Sequence, residues 1–343
     1  MTTVGLRTER LFEMTWLTAA FTLPAATGSL FAVAVLVALL VDHYLGEPPA
    51  RWHPVVWMGN YLNAVAPRVL PTSTVPVDAR DLKALNLGAV YWCLGAATVL
   101  VVTVTVQWMI LKLPLVLAAL LMGLALKPLL AWAMLRREVQ AVEQALDESL
   151  EAGRERLSWL VSRDTSSLSE SEVRESAIES LAENLNDSVV APIFWFVLLG
   201  LPGAAIYRFA NTADAMWGYR GLRNGVNWEW AGKWAARADD VMSWLPARIT
   251  ALLLAMVAGG LNVKVLMLEA RKTPSPNSGW PMAAMALALD VSLRKPGVYV
   301  LNPDGRQPKA TDAVLAQKYA LKVAVTACLC AQAAIIFIAM VST

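Results

Sequence analysis

The chain has 343 residues, 57% of them hydrophobic and only 16% charged, against about 25% charged in a soluble domain. That balance excludes an ordinary soluble fold and reads as an integral membrane protein, and a net charge of +2 is too small to argue for nucleic acid. Two histidines, His43 and His53, exclude a multi-histidine metal site. The three cysteines lie in apolar segments without a C-x-x-C pair, and no phosphate-binding G-x-x-x-x-G-K-[ST] loop occurs.

Residues 1–22 are weakly amphipathic and show no convincing cleavage site. Leu23–Val41 is the first run long enough to cross a bilayer, which takes about 20 apolar residues. In Asp42–Leu62 the Gly46, Pro48, Pro49 and Pro54 forbid a continuous helix and leave Asp42, Glu47 and His53 at the membrane boundary. Residues 67–80 read as a loop. Gly88–Leu111 and Leu113–Leu135 are apolar runs that form a tight transmembrane hairpin, and Arg136–Leu160 continues as a charged helix. The polar linker Ser162–Ser171 can cap the next helix at Ser169 or Ser171.

In that next helix Glu175, Glu179, Glu183 and Asp187 recur every four residues and share one face. Like charges at this spacing repel, so something cationic is expected to face them. A solvated face is the plain alternative. The stripe, however, runs with Asn184 and Asn186 straight into the apolar Val189–Leu201, where polar groups are costly unless used. Gly200, Pro202 and Gly203 cut Val189–Ala210, so two half-helices of a re-entrant hairpin fit as well as one crossing. Tyr207, Arg208, Asn211, Asp214, Tyr219 and Arg220 follow, and Arg237, Asp239 and Asp240 precede a span at Trp244–Leu261 that carries Arg248. Thr273–Pro281 is a rigid loop containing Asn277 and Ser278. Met282–Leu293 is too short to cross, residues 294–312 read as loop, and Tyr319–Val341 is the last span.

The expected fold is all-α: a single polytopic membrane domain over 1–343 with five to six membrane helices, a break near 189–210, and a helical insertion at 136–188 carrying the acidic helix. Basic residues in loops 42–87 and 136–188 place both on the cytoplasmic side of a cell membrane. Clustered carboxylates suit Mg²⁺ and arginines suit phosphate, which together favour phosphoryl or nucleotide chemistry over acyl hydrolysis.

Five stretches carry a resemblance to the CobD/CbiB family, adenosylcobinamide-phosphate synthases of cobalamin biosynthesis: DHYLGEPPARWHPV at 42–55, ESLAENLNDSVVAPIFW at 179–195, YRFANTADAMWGYR at 207–220, ARADDVMSWLPARITALLL at 236–254 and SPNSGWPMAAMALAL at 275–289. The resemblance implies a membrane-bound ligase of the inner membrane, its active site facing the cytoplasm. It implies joining of the carboxylate of adenosylcobyric acid, a corrinoid, to aminopropanol phosphate or aminopropanol with ATP and Mg²⁺. Catalytic roles then fall to Glu179, Glu183, Asp187 and Asp214, and metal binding to these four with Asp239 and Asp240. Substrate contacts fall to Asp42, His53, Asn184, Arg208, Asn211, Tyr219, Arg220, Arg237, Arg248, Asn277 and Ser278. Membrane lipid, a second copy of the chain or other enzymes of the pathway are the expected partners, with no nucleic acid. Thr273, Met282 and the segment Val298–Asn302 depart from the family pattern. The competing readings are a non-enzymatic membrane sensor like the AmpE proteins and an intramembrane prenyltransferase. The Asn/Asp/Arg motifs argue against the first, and the absence of D-D-x-x-D argues against the second.

Overall fold

Apolar runs set the architecture. The structure, a computed structural model, describes residues 25–70, 80–223 and 225–341; the readings for 1–24 and 71–79 lie outside them. The protein is a polytopic all-α membrane protein. Among the described residues six helical stretches are long and apolar enough to cross a membrane, between Gly28–Leu45 near the N-terminus and Ala310–Val341.

Helix α1 (Ala25–Leu45) stops where Gly46 turns, and after a short 3₁₀ turn α2 (Pro54–Val69) begins with proline at its first position, where a missing N–H costs nothing. Residues 67–69, expected in a loop, are the last turn of α2. Helix α3 (Leu82–Ile110) and α4 (Leu115–Leu126) form the expected hairpin. The run expected to continue to Leu135 instead breaks at Lys127–Ala131, and α5 (Trp132–Glu148) starts afresh. Ser149 ends α5 with an extended backbone and caps α6 (Leu150–Leu157). A satellite core of Val142, Leu157, Leu168, Val173 and Ala177 ties these helices to α7 (Glu170–Leu185). Ser169 caps α7 as expected and forms a reciprocal box with Glu172.

The centre of the fold is the passage from α7 through a π-helical turn at Asn186–Val190 into α8 (Ala191–Trp217). A straight helix would put Asp187 and Tyr207 about 30 Å apart. They are hydrogen-bonded instead, Tyr207 Oη to Asp187 Oδ1 at 3.3 Å. The chain reverses at Gly200, whose φ of 68° and ψ of −156° are open only to glycine. Both polar flanks of 189–210 therefore lie at one end of the bundle, the arrangement expected of a hairpin. Its tip is deep: Leu201 N, freed by the break, donates to Gln107 Oε1 at 2.8 Å, three residues before α3 ends.

A β-carbon at position 200 would collide with the Gln107 amide. Gly200→Ala is expected to cost about 1–3 kcal/mol in backbone strain and to lower the thermal unfolding midpoint in detergent.

After a two-stranded turn, β1 (Leu222–Arg223) with β2 (Val226–Asn227), helix α9 runs from Lys233 to Val257. It starts a full eleven residues before Trp244, so Arg237, Asp239 and Asp240 lie on the helix rather than ahead of it. Pro246 sits inside α9 without ending it. Helix α10 (Val263–Ala270) leads to the 273–278 loop, and α11 (Gly279–Leu289) is short and almost wholly buried. Residues 294–312 are not plain loop: β3 (Leu293–Lys295) pairs with β4 (Tyr299–Leu301), Lys295 opposite Tyr299. Helix α12 (Ala310–Val341) closes the bundle, beginning nine residues before the expected Tyr319.

Candidate functional site

The acidic stripe on α7 is not a solvated face. Glu175 is fully buried and pairs with Arg294 at 3.0 Å; Glu179 is 5% exposed and pairs with Arg163 at 2.9 Å. Beyond them the stripe enters two clefts that share Glu183.

The carboxylate cleft is an open one, with about 780 Å³ of free space within and at its mouth. Helix α7 and the π turn supply Glu183, Asn186 and Asp187; α8 supplies Asp214, with Arg220 just beyond it. Helix α9 supplies Asp239, Asp240 and Ser243, and the proline-flanked loop supplies Ser275, Asn277 and Ser278. The groups behind the wall fix its orientation. Asp187 accepts from Asn186 at 2.7 Å and from Asn211 at 3.2 Å. Arg208 donates to the Asp187 carbonyl at 2.9 Å, to Ser188 Oγ at 3.2 Å and to Asn211 Oδ1 at 3.3 Å, which turns the Asn211 amide nitrogen toward Asp187 and Asp239. Arg248 holds Asn277 Oδ1 at 3.1 Å, and Asn277 Nδ2 donates to the Asp240 carbonyl at 2.7 Å. The loop is thus locked onto α9.

Among the described residues, Glu183, Asp187, Asp214, Asp239 and Asp240 form no ion pair. Five carboxylates around one cleft, none in an ion pair among the described residues and with Arg220 as the lining cation, favour a further cation from outside. No three of them converge as a ready-made cage among the described residues. Mg²⁺ fits this donor set, because it keeps waters and takes one or two carboxylates together with substrate phosphate oxygens.

The adjoining cleft, about 550 Å³, is lined by Arg163, Ser176, Glu179, Ser180, Glu183, Asn184, Lys295 and Tyr299. Burial, with Glu179 and Glu183 alongside, pushes the Tyr299 hydroxyl well above its ordinary value, so it stays a neutral donor. A third and wider cleft of about 960 Å³ lies on the other face of the 274–276 loop, with Trp244, Arg248, Arg271 and Trp280 in its walls. Arg248 stacks over both tryptophans.

Of the residues singled out by sequence, Glu183, Asp187, Asp214, Arg220, Asp239, Asp240, Asn277 and Ser278 meet in the carboxylate cleft, and Arg208, Asn211 and Arg248 brace it. Glu179 and Asn184 line the adjoining cleft. Tyr219 turns away, its hydroxyl on the Ala215 carbonyl at 2.8 Å and its ring under Arg223. Arg237 is exposed and lines none of the three clefts. Asp42 and His53 belong to a separate cluster: Lys127 Nζ lies 3.3 Å from Asp42 and 2.7 Å from Glu47, which His53 meets at 3.0 Å. Sequence reasoning missed Lys127, Ser243 and Lys295, and met Tyr299 only within the segment Val298–Asn302 that departs from the family pattern. Lys127 was legible as a lone charge in an apolar run, and Ser243 as the residue one helical turn after Asp239 and Asp240.

A family model described as CobD/Cbib protein matches residues 35–327. The chain is 40% identical over 274 residues to a probable cobalamin biosynthesis protein CobD of Methanothermobacter thermautotrophicus, covering 78% of this chain and 85% of that one. It is also 40% identical to the cobalamin biosynthesis protein CobD of Chromobacterium violaceum, over 76% of this chain and 81% of the relative. A probable CobD of Thermococcus kodakarensis is again 40% identical, over 82% and 87%. No solved structure matches the chain. The match over most of the length, with motifs that meet around one cleft, makes this chain a member of the CobD/CbiB family of cobalamin biosynthesis proteins.

Proposed function

We propose that the protein is an adenosylcobinamide-phosphate synthase, which joins the carboxylate of adenosylcobyric acid to an aminopropanol phosphate with ATP. The observation that carries this reading is the cleft of five carboxylates without ion pairs, with Arg220 at its edge. The γ-phosphoryl group of ATP passes to the corrinoid carboxylate, giving an acyl phosphate and ADP. The amine nitrogen then attacks the acyl carbon, a C–N bond forms, and phosphate leaves with the C–O electron pair. Asp187, Asp214, Asp239 and Asp240 would hold Mg²⁺, which neutralises charge on phosphate oxygens when bound. Arg220 binds phosphate, and the braces on Asp187 and Asn277 keep the cleft in shape without rearrangement at the moment of reaction. Glu183 faces both clefts and takes the proton of the attacking amine. The corrinoid rests in the wide cleft beyond the 274–276 loop, where tryptophans and arginines suit a large, partly apolar acid. The excess of basic residues in loops 42–87 and 136–188 supports a cytoplasmic position for these clefts.

Purified protein is expected to turn over ATP to ADP steadily only when corrinoid acid and an amine acceptor, best as the aminoalkyl phosphate, are both present, with one amide formed per ADP. ADP release indifferent to either acceptor would overturn the proposal. The relatives are named for cobalamin biosynthesis, which favours a biosynthetic enzyme over a membrane sensor.

A further inference from the structure

The cleft adjoining the carboxylate cleft differs from it in charge. Two carboxylates, Glu179 and Glu183, face two cations, Arg163 and Lys295. Arg163 is only half used: Nη2 donates to Ser176 at 2.5 Å and to Glu179 at 2.9 Å, whereas Nη1 is buried without a hydrogen-bond partner. A buried guanidinium N–H without an acceptor is costly, and a planar fork with one free arm is suited to a phosphate oxygen. Lys295 and Tyr299 stand opposite each other on the β3–β4 hairpin and close the same cleft from the other side. Ser176 and Ser180 also line it. The far wall is Glu183, which the carboxylate cleft shares.

We propose that this cleft is the amine-substrate subsite and selects a zwitterion: a phosphate bound by Arg163, Lys295 and Tyr299, and an ammonium set against Glu183. The proposal rests on the ligase reading for its reaction but not for its binding. A cleft of balanced charge disfavours a nucleotide, with its several negative charges, and suits a small molecule bearing one group of each sign. The spacing of roles also follows. An amine held at Glu183 stands at the partition to the cleft in which the acyl phosphate forms. Glu183 first takes one proton from the ammonium and frees its lone pair; as the nitrogen attacks, the C–N bond forms, and the phosphate of the acyl phosphate departs with the C–O electron pair and carries away the second proton. The phosphate of the amine substrate stays bound to Arg163 and Lys295 throughout. An aminoalcohol without phosphate would leave the Arg163 arm and Lys295 unanswered.

Lys295 is exposed on its hairpin, so Lys295→Gln leaves the core untouched. Losing a charge-assisted hydrogen bond is expected to raise KM for the aminoalkyl phosphate about 10-fold or more. KM for ATP, and the weak turnover of the unphosphorylated aminoalcohol, should not change. Arg163→Lys, which keeps the charge toward Glu179 but loses the fork, should show the same selective rise. Binding is tested apart from turnover by titrating wild type and Lys295→Gln with an aminoalkyl phosphonate and following tryptophan fluorescence. Weaker phosphonate binding by the variant supports the subsite even if no amide is ever made, in which case only the ligase reading fails. An equal KM rise for both amines, a rise for ATP, or unchanged phosphonate binding would overturn the subsite.

Discussion

Asp187→Asn is expected to abolish turnover while leaving the protein at least as heat-stable as wild type. Asp187 is the one cleft carboxylate reached from both halves of the α8 hairpin region, by Asn186 on one side and by Tyr207 and Asn211 on the other. It is therefore the best fixed of the five, and a group aimed at developing charge is worth about 100- to 1,000-fold in rate. An asparagine has nearly the same shape and keeps one acceptor for Asn186 and Tyr207, so packing is retained and only the bond from Asn211 is lost. Removing one charge from a cluster whose members form no ion pair also relieves repulsion. The measurement is a pair: ADP release and the unfolding midpoint in detergent. A large loss of rate with an unchanged or raised midpoint is the expected result. Near-wild-type turnover would assign Asp187 a purely structural place.

The largest stability effect is expected at Lys127, far from any proposed chemistry. Its side chain is 4% exposed and is the cation for both Asp42, which is fully buried, and Glu47. Lys127→Met leaves two carboxylates without their cation, and breaking a buried pair from one side costs about 3–5 kcal/mol. Adding Asp42→Asn and Glu47→Gln should restore much of it, because the carboxylates left behind are what make the single change costly. The acid side supplies a second check. Burial pushes the Glu47 carboxyl up, but the bonds from His53 and Lys127 outweigh it and hold the group below its ordinary 4.5. A lowered carboxyl stabilises the fold above its unfolded value and loses that contribution as pH falls through its folded value. Glu47 should thus add stability at neutral pH that disappears below about pH 4.5. In Glu47→Gln that part of the acid sensitivity should be missing.

Much of this was legible in the sequence, and the reasons differ by element. Spans came from apolar run length, and the Ser169 cap and the Gly200 break came from residues with few other uses. The carboxylates were found as a stripe at helical spacing, but that spacing says only which residues share a face. It does not say what meets the face. Glu175 and Glu179 turned out to meet Arg294 and Arg163, whereas Glu183 and Asp187 meet open clefts. The π turn at Asn186–Val190 has no sequence signature and adds residues to the turn that carries Asp187. The β3–β4 hairpin was invisible because each strand is three residues long, too short for an alternating pattern. Lys295 and Tyr299 reach the second cleft only through that hairpin.

The tie between Leu201 N and Gln107 bears on how chains of this kind change over evolutionary time. In hydrocarbon a backbone N–H set free by a helix break must find an acceptor inside the protein. Gln107 supplies it from another helix, 94 residues away in sequence. The glycine break and the glutamine amide are therefore one structural unit. A lineage that loses the amide strands the break, and one that loses the break leaves a polar amide facing lipid for no return. The two positions should be kept together or lost together. A solitary amide in an otherwise apolar span is then a marker, readable without coordinates, of the depth at which a neighbouring helix turns back.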